Sequence, residues 1–398
     1  MFDTHTQISK YRVLHFLKAM DPAGIEKGIM SLYRQMDRTE IQFDFAVHSL
    51  HEGYYEKEIR QLGGAVFRVP SPKGDLWRFK KEWDRTLRDW SHTSNKSQLG
   101  IPIAVHSHSA YFSGIVLRQA AKAGVSVRIA ASHRVNASAG GIRGLYMKAM
   151  SNLIRKYATH RLSCSRIAGS SLFGHDWNPD GKSMGIVPNA LDLNPFMHIR
   201  STTRESLRRA WFNSNNIEGP VVLHIGRFVK EKNHRFILDV FQSLLDSVPT
   251  AILILAGEGP ELQNMKAEAE QRGLLQKVQF LGIVDQIPEL IAAADVFLFP
   301  SITEGLGMAV IEAQAGGLPC LVSDAIPEEA DIGIDRLFRL SLNDSKELWV
   351  QQIIDLLQFT RPPVQFIEAA LVARKYVASS LYPLMKEIYT YGSAEIHS

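Results

Sequence analysis

Asp295-Val-Phe-Leu-Phe-Pro300-Ser-Ile-Thr-Glu304-Gly-Leu-Gly-Met-Ala-Val-Ile-Glu312-Ala-Gln-Ala-Gly-Gly317 reads as a strand, a loop and a helix in succession. The apolar run before Pro300 is short enough for a buried strand, and Glu304-Gly305 turns the chain. Leu306 to Ala315 has no internal breaker except Gly307 in its first turn. A helix N-terminus favours phosphate through its unpaired N–H groups and dipole, and eight helical residues rise about 12 Å. Glu304 and Glu312 can therefore sit on either side of a pyrophosphate. Taken alone, a capping Glu304 and a solvated Glu312 is the stronger reading of such a pair, so the rest of the chain has to decide.

Working outward, β-rich apolar runs alternate with helical patterns from end to end, the signature of a doubly wound α/β fold. Strands are expected at Tyr11 to Leu17, Ile41 to Val47, Ala65 to Val69, Ile101 to His106, Val125 to Ala131 and Met184 to Val187. After Pro188-Asn-Ala-Leu-Asp192 and a polar helix near Thr203 to Ala210 the pattern restarts. New strands are expected at Val221 to Ile225, Ala251 to Ala256, Val278 to Leu281, Val296 to Phe299 and Cys320 to Val322. The expected architecture is two Rossmann-like domains, 1–195 and 196–378. A last helix within 379–398 comes after the second sheet is complete and is free to cross back to the first domain.

A chain of 398 residues with 45% hydrophobic content can bury two cores. The first ten residues lack a signal-peptide pattern, and no run approaches the roughly 18 apolar residues of a membrane span, which predicts a cytoplasmic protein. Cys164 and Cys320 form no disulfide framework or zinc cluster. Charge is unevenly divided: residues 1–195 hold 27 Lys+Arg against 16 Asp+Glu, leaving 18 against 25 for the remainder. Between Asp89 and Asp176 there is no carboxylate, while Lys96, Arg118, Lys122, Arg128, Arg134, Arg143, Lys148, Arg155, Lys156, Arg161 and Arg166 all fall inside. Such a stretch attracts an anionic partner, or is a solvated basic face.

Loops at the carboxyl ends of strands bind the ligands of such folds. Met20-Asp-Pro-Ala-Gly-Ile-Glu-Lys-Gly28 carries Gly24, where backbone can approach a ligand or simply turn. Ser132-His-Arg-Val-Asn136 places His133 at a strand end, where a single histidine is more often structural than functional. In Gly226-Arg-Phe-Val-Lys-Glu-Lys-Asn233, Arg227 and Lys232 bracket a turn into a helix, where cations and helix amides can converge on a diphosphate or remain solvated.

Together Gly24, His133, Gly226-Arg227, Lys232 and the Glu304-x7-Glu312 pair resemble the retaining glycosyltransferases of family 4, whose two Rossmann-like domains face each other across a cleft in the GT-B fold. The resemblance spans nearly the whole chain and is most specific from Val221 to Asp324. Through Gln42-Phe-Asp-Phe-Ala-Val-His48, Leu62-Gly-Gly-Ala-Val-Phe-Arg68 and Glu312-Ala-Gln-Ala-Gly-Gly-Leu-Pro-Cys320 it looks closest to bacterial exopolysaccharide and capsule glycosyltransferases. It implies a nucleotide-sugar donor such as a UDP-sugar, and a glycan or lipid-linked oligosaccharide as acceptor. Arg227 and Lys232 would hold the donor pyrophosphate with the Gly305-Leu306-Gly307 backbone, Glu304 the transferred sugar, and Glu312 the ribose. His133 would contact the sugar near its reacting carbon, Gly24 would lie beneath the diphosphate, and Gly282, Ile283 and Val284 would hold the base. Two positions depart from the family pattern: Ala23 precedes Gly24, and Ala190 follows Pro188-Asn189.

No Asp-x-Asp occurs in the sequence, so the leaving diphosphate is expected to be neutralised by cations and helix starts without metal or cofactor. A double displacement needs a carboxylate nucleophile, and the acid-free first-domain stretch offers none. Together with the retaining behaviour that the family resemblance implies, this leads to the expectation of attack and departure on one sugar face. The span from Arg143 to Arg166, with Leu145, Met147, Leu153 and Ile154, has the spacing of a cationic helix that can rest on an anionic membrane, and Trp77-Arg-Phe-Lys-Lys-Glu-Trp83 is a second such stretch. Core packing explains these apolar residues equally well. A dinucleotide fingerprint is missing and there is no compact aromatic-basic motif, which argues against an oxidoreductase and a nucleic-acid binder. A nucleotide-sugar epimerase or hydrolase of the same shape, and a non-catalytic sugar-nucleotide-binding relative, remain as rivals.

Overall fold

The computed structural model describes residues 9–96, 100–135, 140–199, 203–211 and 219–391, with 93–96 and 391 in backbone only. The first eight residues, Asn136 and the Lys96 side chain fall outside this set. The chain divides into two compact units, one made of residues 1–191 and 375–398 and the other of residues 192–374.

In the first unit the order is β1 (Tyr11–Leu17), α1 (Gly24–Gln35), β2 (Ile41–Val47), α2 (Glu56–Gln61), β3 (Val66–Arg68), α3 (Leu76–Lys96) and β4 (Ile101–Ser107). Then follow α4 (Ser113–Lys122), β5 (Val127–Ser132), α5 (Gly141–Tyr157), β6 (His160–Ser163), α6 (Arg166–Phe173) and β7 (Met184–Ile186). All strands are parallel, in the order β3-β2-β1-β4-β5-β6-β7. The second unit contains α7 (Asn194–Ile199), α8 (Arg204–Trp211), β8 (Val221–Ile225), α9 (His234–Ser247), β9 (Ile252–Ala256), α10 (Leu262–Gln271) and β10 (Val278–Gly282). It continues through α11 (Ile287–Ala293), β11 (Val296–Phe299), α12 (Met308–Ala315), β12 (Cys320–Ser323), β13 (Leu337–Leu340), α13 (Lys346–Leu356) and α14 (Val364–Ala373). Its sheet is also parallel, ordered β10-β9-β8-β11-β12-β13. The last helix, α15 (Ala378–Tyr391), belongs to the first unit.

Strands buried on both faces must be apolar at nearly every position, which is why these runs read so clearly. Along β1 the period of two sends Val13 and Leu17 to a core shared with α15, and Leu14 and Phe16 to a core built on Phe79, Trp83 and Trp90 of α3. Two strands had no counterpart among the expected ones. β6 lies inside Arg143 to Arg166, so that span is a helix, a strand and the start of a second helix, and no single cationic helix forms. β13 is a half-buried edge strand of four residues.

A buried charge ties the first sheet to its covering helix. Asp44 is fully buried and accepts from Arg12 Nε at 2.7 Å, from Trp90 Nε1 at 2.8 Å and from the Ala65 amide at 2.8 Å. Removing one partner of a buried ion pair leaves the other charge uncompensated. Asp44→Ala is expected to cost about 3–5 kcal/mol in urea unfolding; a loss under about 1 kcal/mol would contradict the structure.

Candidate functional site

A doubly wound sheet opens a crevice where its strand order reverses, outside the carboxyl ends of the two central strands. In the second unit those strands are β8 and β11. After β8 the chain runs through Gly226 to Val229, makes one 3-10 turn at Lys230–Lys232, and enters α9 through Asn233 in the left-handed conformation. After β11 it loops from Pro300 to Gly307. The two loops are bonded to each other: Ile302 N donates to Glu231 O at 2.7 Å, and Asn233 Nδ2 donates to Pro300 O at 3.2 Å.

This framework brings Lys232 and Glu304 into an ion pair, with Lys232 Nζ also 4.6 Å from the centre of the Phe299 ring. Both side chains are mostly buried, at 19% and 12% exposure, so solvent screens the pair weakly. Arg227 lies on the same loop, five residues before Lys232, with its side chain exposed and in no hydrogen bond or ion pair among the described residues. The loop after β9 packs against the same backbone. Gly257 has φ +139°, and a Cβ there would lie 2.1 Å from Gly226 O, so only glycine fits. Its amide donates to Gly282 O at 2.7 Å, which brings the end of β10 alongside, with Ile283 exposed and Val284 half-buried.

One local expectation is corrected. The helix after Glu304 starts at Met308, with Gly307 outside it as the N-cap at φ +86°. A left-handed residue cannot continue the right-handed first turn expected from Leu306. Glu312 is thus the fifth helical residue, about 6 Å along the axis from the helix start, and the eight-residue helical separation from Glu304 does not apply. Glu312 is half-buried and engaged with the protein; Gly305 is engaged as well and, like Leu306, is buried.

The corresponding edge of the first unit holds His133 and Gly24. Gly24 is the exposed first residue of α1 and its φ is not positive, so the backbone conformation there does not demand glycine. Ala190 likewise lacks a positive φ and is buried in the core. His133 follows β5, and His108 Nδ1 lies 2.9 Å from His133 Nε2, while His133 Nδ1 is buried without a hydrogen-bond partner among the described residues. Burial pushes the His133 pKa down to about 4; Arg134 adds to this and the Asn189 side chain opposes it. The ring is therefore neutral at pH 7. A cavity of about 780 Å³ opens beside it, lined also by Lys18, Glu26, His48, Lys73 and Arg134.

Glu26, His15, His106, His108 and Tyr389 were not singled out from the sequence. Burial raises the Glu26 pKa to about 6, and Asp21 adds to it. The one sequence signal for the others is His106-Ser-His108 at the end of β4, which reads as two ordinary core histidines until register sets His106 beside His15.

Residues 208–371 match the family described as Glycosyl transferases group 1. The chain is 32% identical to the protein named "Putative glycosyltransferase EpsF" of Bacillus subtilis (strain 168), over 98% of this chain and 99% of that protein. It is 24% identical to the capsular polysaccharide biosynthesis glycosyltransferase CapH of Staphylococcus aureus over 81% and 83% of the two chains. The solved structure of Anabaena HepE in complex with UDP and glucose superposes with a TM-score of 0.72 at 16% identity, covering 94% and 98%.

The buried histidines set an acid limit on stability. His15, His106, His108 and His224 are held well below the ordinary value by burial, and His133, His160 and His234 are held at about 4. The unfolded chain takes up these protons near pH 6.5, the folded chain only well below that, near 4 for the last three. The unfolded state thus binds more protons in that window, and stability falls as pH drops through it, by up to about 1.4 kcal/mol per pH unit for each histidine. Thermal midpoints measured at pH 7.5, 6 and 5 are expected to fall steadily; a flat profile would refute this.

Proposed function

The chain belongs to the group 1 glycosyltransferases, and on that premise we propose that it moves a hexose from a nucleoside diphosphate sugar, with UDP the expected nucleotide, to a hydroxyl of a glycan or lipid-linked oligosaccharide in surface-polysaccharide assembly. The observation that carries this is the Lys232–Glu304 pair at the reversal point of the second sheet, with the unpaired Arg227 cation on the same loop as Lys232. A diphosphate arriving there meets two cations and the backbone of Gly305 to Gly307, while Glu304 is left to hydrogen-bond sugar hydroxyls and Glu312 the ribose. The exposed Ile283 and its neighbours Gly282 and Val284 suit the flat face of a base. The names of EpsF and CapH, and the UDP and glucose bound by HepE, support the donor and acceptor classes.

In this reading the bond from the anomeric carbon to the phosphate oxygen breaks, with its electron pair going to the diphosphate. The acceptor oxygen bonds to the same carbon on the same face, and its proton passes to the departing phosphate oxygen, so the anomeric configuration is retained. His133, neutral at pH 7, is assigned to the transferred sugar. Arg227 and Lys232 take the role of counter-charge, so no divalent cation is required.

Among the described residues no helix is long and apolar enough to cross a membrane. Membrane contact is assigned to the first half of α5, where Ile142 and Leu145 are 90% and 71% exposed beside the exposed Arg143 and Lys148, whereas Ile154 is in the core. The chain should act at the cytoplasmic face of an anionic bilayer. Flotation with anionic vesicles is expected at low salt and to weaken at high salt; its absence at low salt removes this part of the reading.

The decisive experiment is a thermal-shift series with nucleoside diphosphates in EDTA. A bound nucleotide at about 100 times its Kd adds about 2.7 kcal/mol. Arg227→Ala removes a charge with no structural partner, so the fold should be unchanged while nucleotide affinity falls about 10–100-fold. If no nucleoside diphosphate shifts the midpoint, the donor assignment is wrong. Product analysis by NMR then separates transfer with retention from epimerisation or hydrolysis.

A further inference from the structure

Every residue lining the cavity of about 780 Å³ beside His133 belongs to the first unit, where β1, β4 and β5 end. That volume falls within the roughly 300–1,000 Å³ of ligand pockets. Three of the lining side chains are permanent cations: Lys18 just past β1, Lys73 ahead of α3, and Arg134 next to His133. Against them stands one carboxyl, Glu26 in the first turn of α1. The histidines do not alter this balance, because burial holds His48, His108 and His133 below the ordinary value and so neutral at pH 7. Lys18 and Lys73 are exposed, and neither ammonium is in a hydrogen bond or ion pair among the described residues. A concave wall with an excess of one charge focuses its field, so the cavity draws anions.

Glu26 adds a second requirement. Its Oε2 is buried without a hydrogen-bond partner among the described residues. A carboxylate oxygen so placed gains strongly from an O–H or N–H donor brought by a ligand. The group is ionised at pH 7, since burial raises its pKa only to about 6. It therefore accepts a hydroxyl proton and repels a bare anion. A neutral sugar would bond to Glu26 and gain nothing from the lysines, whereas inorganic phosphate would gain from the lysines and be opposed by Glu26. A ligand that satisfies both carries hydroxyls and a negative charge on one small frame.

We propose that this cavity selects an acceptor whose terminal sugar is acidic, with Glu26 accepting from a sugar hydroxyl and Lys18 and Lys73 holding the acidic group. This rests on the reading of His133 as the residue beside the transferred sugar, which puts the cavity where the acceptor enters. Arg134 is engaged with the protein and adds to the positive potential. A phosphate and a carboxylate on the sugar both meet the requirement.

The test is a set of calorimetric titrations of the full-length protein saturated with UDP, so that the donor loops are occupied. The probes are glucose, glucose 6-phosphate, glucuronate and inorganic phosphate. One of the two acidic sugars should bind about tenfold or more tighter than glucose, and which of them does so identifies the acidic group. Lys18→Ala and Lys73→Ala change exposed side chains and keep the fold; each should weaken that sugar about fivefold and leave glucose unchanged. Glu26→Gln should weaken the acidic sugar while inorganic phosphate binds as well or better, because a repelling charge has gone. The proposal is overturned if neither acidic sugar binds tighter than glucose, or if both lysine variants bind the acidic sugar as the wild type does. It is overturned too if Glu26→Gln leaves the acidic sugar unchanged or weakens phosphate as much. A protein that does not bind UDP defeats the donor reading instead, and the same titrations on Arg227→Ala without nucleotide then decide the cavity on their own.

Discussion

Every strand of a parallel sheet ends at the same edge, and both faces of the sheet are taken up by the core, so that edge is where chemistry can be placed. In the second unit the constraint acts most strongly between β8 and β11, where the strand order reverses and the two loops meet. The Ile302–Glu231 backbone bond closes the loops on each other. Only with the loops so joined can Lys232 and Glu304, 72 residues apart in sequence, share a salt bridge over the Phe299 ring. The positions of Arg227, the Gly305 backbone and the end of β10 follow from the same closure.

Much of this was legible because burial on both faces forces long apolar runs. β1, β2, β8 and β11 could be read residue for residue, and Lys232 and Glu304 could each be chosen as candidates. Their pairing could not be read, since nothing in a sequence reports which distant loop a side chain will meet. β6 was lost because His160-Arg-Leu-Ser163 is short and polar and sits among basic residues that give no period. The start of α12 was misplaced because a glycine in the first turn and a left-handed glycine just before it look alike without φ. The contact between His108 and His133 was invisible for a different reason: each ring sits just past a strand end where a histidine is unremarked, and only the fold brings the two together.

Two stretches that carried the family resemblance have a structural explanation. Gln42 to His48 and Leu62 to Arg68 lie against each other: Gln42 Nε2 donates to Leu62 O at 3.1 Å, and the Ala65 amide donates to Asp44. Arg68 pairs with the fully buried Glu56 of α2. Their likeness to other chains reflects how β2, β3 and α2 are locked together, and it says little about substrate. The residues with chemical potential lie elsewhere, at the strand ends.

The second unit is a continuous segment, whereas the first is interrupted by it and finished by α15. Leu381, Met385, Ile388 and Tyr389 of that helix are all buried against β1, β2 and α1. As the chain leaves the ribosome, the early sheet must therefore wait with one apolar face covered only in part, by α1 and α2, while the second unit is made and folds. The surroundings of His106 take their final form only when Tyr389 arrives, so a chain clipped between residue 374 and α15 would carry a complete second unit and an unfinished first one. Such a product would expose sheet surface that is prone to aggregate, which ties completion of the His106 environment to the emergence of α15.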